Sequence, residues 1–121
     1  MICLAKAIYH EARGEGIRGM LAVGYVVINR ANHARFPSDI CDVVKQPNQF
    51  SWVGVKMKIH DSALYEQAKS VAIMVAESSD GDPTKGSTHF HRFDLGIDWS
   101  NKSMKKTVRI GNHQFYRLSD K

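Results

Sequence analysis

The 121-residue sequence predicts an α+β fold, mainly helical with a small C-terminal antiparallel β element. Apolar residues recur at helical spacing as far as Pro83, where the pattern changes. Beyond it, apolar and polar residues alternate on either side of a Gly111-Asn112 turn signal.

Taken in order, Leu4, Ala7 and Ile8 place a first helix over Ile2 to Ala12, with Gly14 and Gly16 as its stop. The next segment, Gly16 to Asn32, is apolar nearly all round. Its Tyr25-Val26-Val27-Ile28 run would suit a strand, but the whole stretch is too long for one, so a buried central helix is expected. Phe36-Pro37-Ser38-Asp39 breaks the chain and caps a short helix through Val43, Val44 and Lys45, ended by Pro47. A loop with Gln49-Phe50-Ser51-Trp52 follows. Asp61 or Ser62 then opens a fourth helix with Leu64, Ala68, Val71, Ala72 and Val75 on one face, closed by the segment from Ser78 to Pro83. Ser87 to Phe93 alternates like a strand, and Thr107 to Ile110 and His113 to Leu118 form a hairpin about Gly111-Asn112.

A composition of 43% hydrophobic and 24% charged residues is that of an ordinary globular protein. No apolar run approaches the roughly 20 residues of a membrane span, so no stable membrane insertion is expected. No repeat, linker or low-complexity tract divides the chain, and one domain over residues 1–121, acting as a monomer, is the expectation. The first residues show no secretory leader. A net charge of +5 suits anionic partners (nucleic acid, acidic lipid, bacterial wall polymers) or simply keeps the surface soluble. Cys3 and Cys41 match no zinc spacing and are expected as two buried thiols. Bridged, they would stabilise the fold by about 4 kcal/mol through loop entropy.

One carboxylate stands out. Leu4, Ala7, Ile8 and Glu11 fall at i, i+3, i+4 and i+7, so Glu11 continues the stripe that faces the interior. Burial there and the negative end of the helix dipole both disfavour its charged form. A protonated glutamic acid near neutral pH suits glycoside cleavage, because the leaving sugar oxygen must receive a proton. The alternative is that Glu11 sits at the rim and pairs with Arg13 or another base, which acts the other way. Glu15, past the helix end, reads as a solvated or capping carboxylate.

These residues carry a resemblance. Ile8-Tyr9-His10-Glu11-Ala12-Arg13-Gly14-Glu15-Gly16 resembles the signature of the SleB/CwlJ cell-wall hydrolase family, enzymes of spore-cortex lysis and some phage endolysins. Val26 to Arg30, Arg35-Phe36-Pro37 with Cys41 to Val44, Gln49-Phe50-Ser51 and Arg109 to Tyr116 resemble further family blocks in the same order. The resemblance spans nearly the whole chain. It departs at the histidine-rich Thr88 to Phe93 strand and at Asp94 to Trp99. It implies a lysozyme-like or lytic-transglycosylase-like domain with an essential glutamate at the position of Glu11. The implied substrate is the β-1,4 link between N-acetylmuramic acid and N-acetylglucosamine in peptidoglycan. Together with the missing leader, it suggests an endolysin that acts on the cell wall after release from the host cytoplasm.

With Glu11 as the sole placed carboxylate, the simplest scheme is lytic transglycosylation without a cofactor; hydrolysis needs a second carboxylate, for which Glu15, Asp94 and Asp98 are candidates. Asn29, Gln49 and Ser51 are candidate partners for the N-acetyl groups. Phe50, Trp52, Trp99 and Tyr116 offer flat faces for sugar rings or pack in the core. His89 and His91, two apart on a strand, project to one face, as substrate contacts or, with His113 on the neighbouring strand, as metal ligands. No metal is assigned, for want of a paired cysteine or placed carboxylate. His10-Glu11 does not begin a zinc-protease helix, because Gly14 stands where a second histidine is needed.

Two rival classes remain at this level. One is a metal-dependent amidase cutting the stem peptide, or a nuclease, built on His89, His91 and His113. The other is a non-catalytic module binding wall polymer or nucleic acid through Lys102, Lys105, Lys106 and Arg109. No nucleic-acid-binding motif is present, so no nucleic-acid partner is expected.

Overall fold

A computed structural model of the chain describes residues 2–46, 59–77 and 81–119. Among these residues four helices, α1 (Ile2–Glu11), α2 (Gly16–Ala31), α3 (Ile40–Val44) and α4 (Ser62–Glu77), precede three strands, β1 (His89–Arg92), β2 (Met104–Ile110) and β3 (His113–Leu118). The strands form one antiparallel sheet in the order β1-β3-β2. This is the α+β arrangement expected from the sequence. Among the described residues no helix is long and apolar enough to cross a membrane.

The helices form as their periodicity dictates. Leu4, Ala7 and Ile8 of α1 are fully buried against α2 and α4, where Met20, Val23, Val27, Ala68, Val71, Ala72 and Val75 complete one core. Gly24 lets the helices close up: a Cβ there would lie 3.0 Å from Val75 and 3.2 Å from Ile8. Asp39 caps α3 by accepting from the Asp42 N–H, and Asp61 caps α4 by accepting from the Leu64 N–H. Pro47 and the start of the segment expected to close α4, Ser78 to Asp80, lie outside the described residues.

The cysteines correct the expectation of two buried thiols. Cys3 of α1 and Cys41 of α3 form a disulfide with Cα atoms 5.3 Å apart, and both are half-buried. Packing of α1 on α3 brings them together, which their spacing in sequence does not reveal.

A second apolar cluster, Ala22, Val26, Ile110 and Phe115 with Phe90, fastens α2 to one face of the sheet. The first strand is shorter than its alternation suggests, because the residues before it serve a loop. Asp82 gathers the N–H groups of Thr84 and Gly86 and the Thr84 hydroxyl, while Ser87 bonds back to Thr84. The second strand begins earlier than expected, at Met104 rather than Thr107. Met104, Lys105 and Lys106 pair with Leu118, Arg117 and Tyr116, and a register shift between Lys106 and Arg109 breaks the alternation that would have marked them. The hairpin turns in two residues, with Gly111 in the left-handed region at φ 56°.

Candidate active site

Glu11 is the last residue of α1 and is half-buried. The left-handed Gly14 and Gly16 turn the chain sharply after it and start α2. With Arg13, Glu15, Arg92, Asn112 and His113 it lines a polar cleft of about 340 Å3 between this turn and the tip of the hairpin. Arg30 of α2 is buried within reach of the charge of Glu11. Its Nε donates to the Thr88 carbonyl at 2.6 Å, and its guanidinium lies 5.4 Å from the centre of the Phe36 ring. Burial pulls its pKa down to about 10, and the charge of Glu11 offsets part of that.

Glu15 neither caps α2 nor faces solvent alone. Its Oε1 accepts from the Asn112 backbone N–H at 2.9 Å and its Oε2 from the Asn112 side-chain amide at 3.0 Å. The two walls of the cleft are thereby joined. Asp94 pairs with Arg92 at 2.8 Å, and Asp98 accepts from Ser100 and Lys106 on an exposed segment. Burial above all keeps His113 below the usual imidazole range, the Glu15 charge opposing it and those of Arg92 and His91 adding to it. His10 is likewise lowered, by burial and then by Arg13 and Lys6.

None of the residues expected to contact sugar lines this cleft, as far as the structure describes them; Gln49, Phe50, Ser51 and Trp52 lie outside the described residues. Asn29 commits its amide donors to Asp82 at 3.0 Å and to the Ser87 carbonyl at 2.9 Å, where it holds the loop before β1. Tyr116 is fully buried and presents no open ring face.

The three histidines do not share a face. Residues opposite each other in an antiparallel pair point the same way, so Arg92 and His113 lie on the helix-facing side with Phe90 and Phe115. His89 and His91 lie on the other side with Tyr116. The register thus separates His113 from the other two, the grouping that the rival metal-dependent reading needs. Among the described residues no group of three or more His, Cys, Asp or Glu is placed to hold a metal ion.

His91 has both ring nitrogens engaged. Its Nδ1 is 2.7 Å from the Arg92 carbonyl, which can only accept, so the proton sits on Nδ1 and Nε2 accepts from the Tyr116 hydroxyl at 2.8 Å. The Tyr116 oxygen in turn accepts from the Trp99 N–H at 3.3 Å. His89 lines a second cleft, of about 470 Å3, with Asp98, Trp99, Ser100, Asn101 and Met104. Burial first, then Arg30 and His33, push its pKa down to about 4, so it is neutral at ordinary pH.

The signal missed in the sequence is Asn112, read there only as a turn residue. Arg13, Arg92 and Asn112 enter the site through tertiary contacts.

The profile of the cell wall hydrolase family matches residues 14–116, beginning just after Glu11. A spore cortex-lytic enzyme of Halalkalibacterium halodurans is 34% identical over 117 residues, covering 93% of this chain and 33% of that protein. The chain thus spans about a third of the length of the curated relatives it matches. The crystal structure of the catalytic domain of the Bacillus cereus SleB protein superposes with a TM-score of 0.75 at 27% identity, over 93% of this chain and 84% of that one. The catalytic domain of the germination-specific lytic transglycosylase SleB from Bacillus anthracis gives 0.73 at 25% identity, over 93% and 89%.

Proposed function

This chain belongs to the cell wall hydrolase family, and on that premise we propose that it cleaves peptidoglycan strands at the β-1,4 MurNAc-GlcNAc bond by lytic transglycosylation, with Glu11 as acid and base. One observation carries the choice of route. Among the described residues the other carboxylate lining the Glu11 cleft is Glu15, whose two oxygens each accept a hydrogen bond from Asn112, and this clasp supports a scheme in which Glu11 makes both proton transfers.

In the first step Glu11 donates its proton to the bridging oxygen as the bond from muramic acid C1 breaks and the GlcNAc end leaves as an alcohol. The carboxylate then takes the proton of the muramic acid 6-hydroxyl while O6 bonds to C1. The product is a 1,6-anhydro end, no water is consumed, and Glu11 is returned protonated. The half-buried position of Glu11 supports the first step, and the buried Arg30 supports the carboxylate between the two. The Bacillus anthracis neighbour is itself a lytic transglycosylase.

Mass spectrometry of digested peptidoglycan tests the route: anhydro ends are expected, reducing muramic acid ends would mean hydrolysis, and free stem peptides would mean an amidase. Glu11→Gln should lower the rate at least about a hundredfold with the fold intact. Sacculi dissolved at the normal rate by that variant would overturn the proposal. We read residues 1–121 as one catalytic domain acting as a monomer, which sedimentation measures. For the biological setting, the curated relatives are spore cortex-lytic enzymes, and the other setting to be tested is that of an endolysin serving cell lysis. Relative rates on cortex and on vegetative sacculi separate the two.

A further inference from the structure

We propose that the outer face of the sheet carries a second carbohydrate-binding site, built on Trp99, that takes a β-1,4-linked N-acetylhexosamine strand apart from the Glu11 cleft. The choice of ligand class rests on the glycan-cleaving function proposed above.

The separation follows from strand register. Arg92 and His113 of the Glu11 cleft point toward the helices, whereas Met104 pairs with Leu118, and His89 with Tyr116, on the opposite side. The two clefts are therefore on opposite faces of one sheet, with β1 at its edge.

Single exposed aromatic residues are common and mean little by themselves. Trp99 differs in being both held and open. It is 39% exposed, yet it stands edge-on to His91 at 4.6 Å between ring centres and tilted against Tyr116 at 5.6 Å. The chain of hydrogen bonds from the Arg92 carbonyl through His91 and Tyr116 ends on its backbone N–H, and the His91 and Tyr116 side chains in it are buried. An immobilised indole loses little side-chain freedom when a ligand stacks on it.

In front of it lies the 470 Å3 cleft. One flat apolar face ringed by a neutral imidazole, a hydroxyl and an amide suits a pyranose, whose C–H face is apolar and whose hydroxyl and acetamido groups are polar. The charges at the rim cancel, with Asp98 paired to Lys106 at 3.3 Å. Such a rim favours an uncharged sugar over an acidic stem peptide or a nucleic acid.

The test is a titration of the full Glu11→Gln chain with a β-1,4-linked N-acetylglucosamine tetramer, following the Trp99 indole N–H resonance by NMR. That resonance should move on addition of the tetramer. Trp99→Ala should weaken this binding about tenfold, with Trp99→Phe retaining most of it. An unmoved indole, or displacement of the sugar from it by an acidic stem tetrapeptide or by single-stranded DNA, would overturn the proposal. The resonance belongs to the intact indole, so the titration decides the matter even where Trp99→Ala fails to fold. Solubilisation of sacculi by the unmodified chain keeps the two readings apart: without it the glycan-cleaving function fails, and with it a silent indole removes this site alone.

Discussion

Glu15 and Asn112, 97 residues apart in sequence, meet in a two-point clasp in which the carboxylate takes both the backbone and the side-chain N–H of the asparagine. The clasp fixes the hairpin tip against the turn that follows Glu11. Gly111 is required beside it, because a Cβ there would collide with Glu15 Oε1 and the residue holds a positive φ.

The clasp predicts a swap. Glu15→Gln leaves two amide groups facing each other and Asn112→Asp leaves two carboxylates, so each alone should cost about 1 kcal/mol and raise KM more than it lowers kcat. The double variant Glu15→Gln/Asn112→Asp re-forms the side-chain bond with donor and acceptor exchanged, while the backbone N–H of position 112 still donates to the side-chain oxygen at position 15. Denaturant titrations of all four proteins should show a coupling energy of about 1 kcal/mol; additive losses would show that the contact is incidental.

Reduction of Cys3–Cys41, or replacement of both by serine, should lower unfolding stability by about 2–4 kcal/mol, since the bond closes a loop between α1 and α3. Urea unfolding with and without reductant measures it, and equal midpoints would refute the expected stabilisation.

Acidification should weaken the fold between about pH 6.5 and 4. His89 has a folded pKa of about 4 against 6.5 unfolded, so in that window the unfolded chain binds the extra proton. Its contribution is therefore fully present above pH 6.5 and lost as pH falls toward 4. His113 and His10, also lowered, act in the same direction. The melting temperature followed from pH 7.5 to 4.5 should fall, and more gently in His89→Gln; identical slopes would count against His89 as a source.

Asn29→Asp should destabilise more than Asn29→Ala. The alanine only loses the bonds to Asp82 and the Ser87 carbonyl, whereas the aspartate sets a second carboxylate against Asp82. Thermal melts of the two variants should rank in that order, and the reverse order would mean the loop before β1 does not depend on this contact.

Tyr116→Phe should cost about 1–3 kcal/mol, because it strands the Nε2 of a buried His91 without its donor. Chemical denaturation measures this, and an unchanged midpoint would show that water replaces the hydroxyl.

The helices were legible because a stripe of Leu4, Ala7, Ile8 and its counterparts at Ala68, Val71 and Val75 can be buried only on one side of a 3.6-residue repeat. Asp39 and the Gly111-Asn112 turn were legible because capping and tight turns are local chemistry. The early part of β2 was hidden by Lys105 and Lys106, whose place in the ladder is set by β3. The face on which His113 lies is set by the same register.

From the sequence alone follow the element order, the family resemblance and the half-buried glutamate at the end of the first helix, all properties of residues near one another along the chain. Tertiary structure alone decided that Cys3 joins Cys41, that Glu15 bonds Asn112, and that the clefts lined by Trp99 and by Glu11 lie on opposite faces of the sheet. Each of these depends on the register of strands or the docking of helices. Those are set by burying the whole core at once, and no local run of residues encodes them.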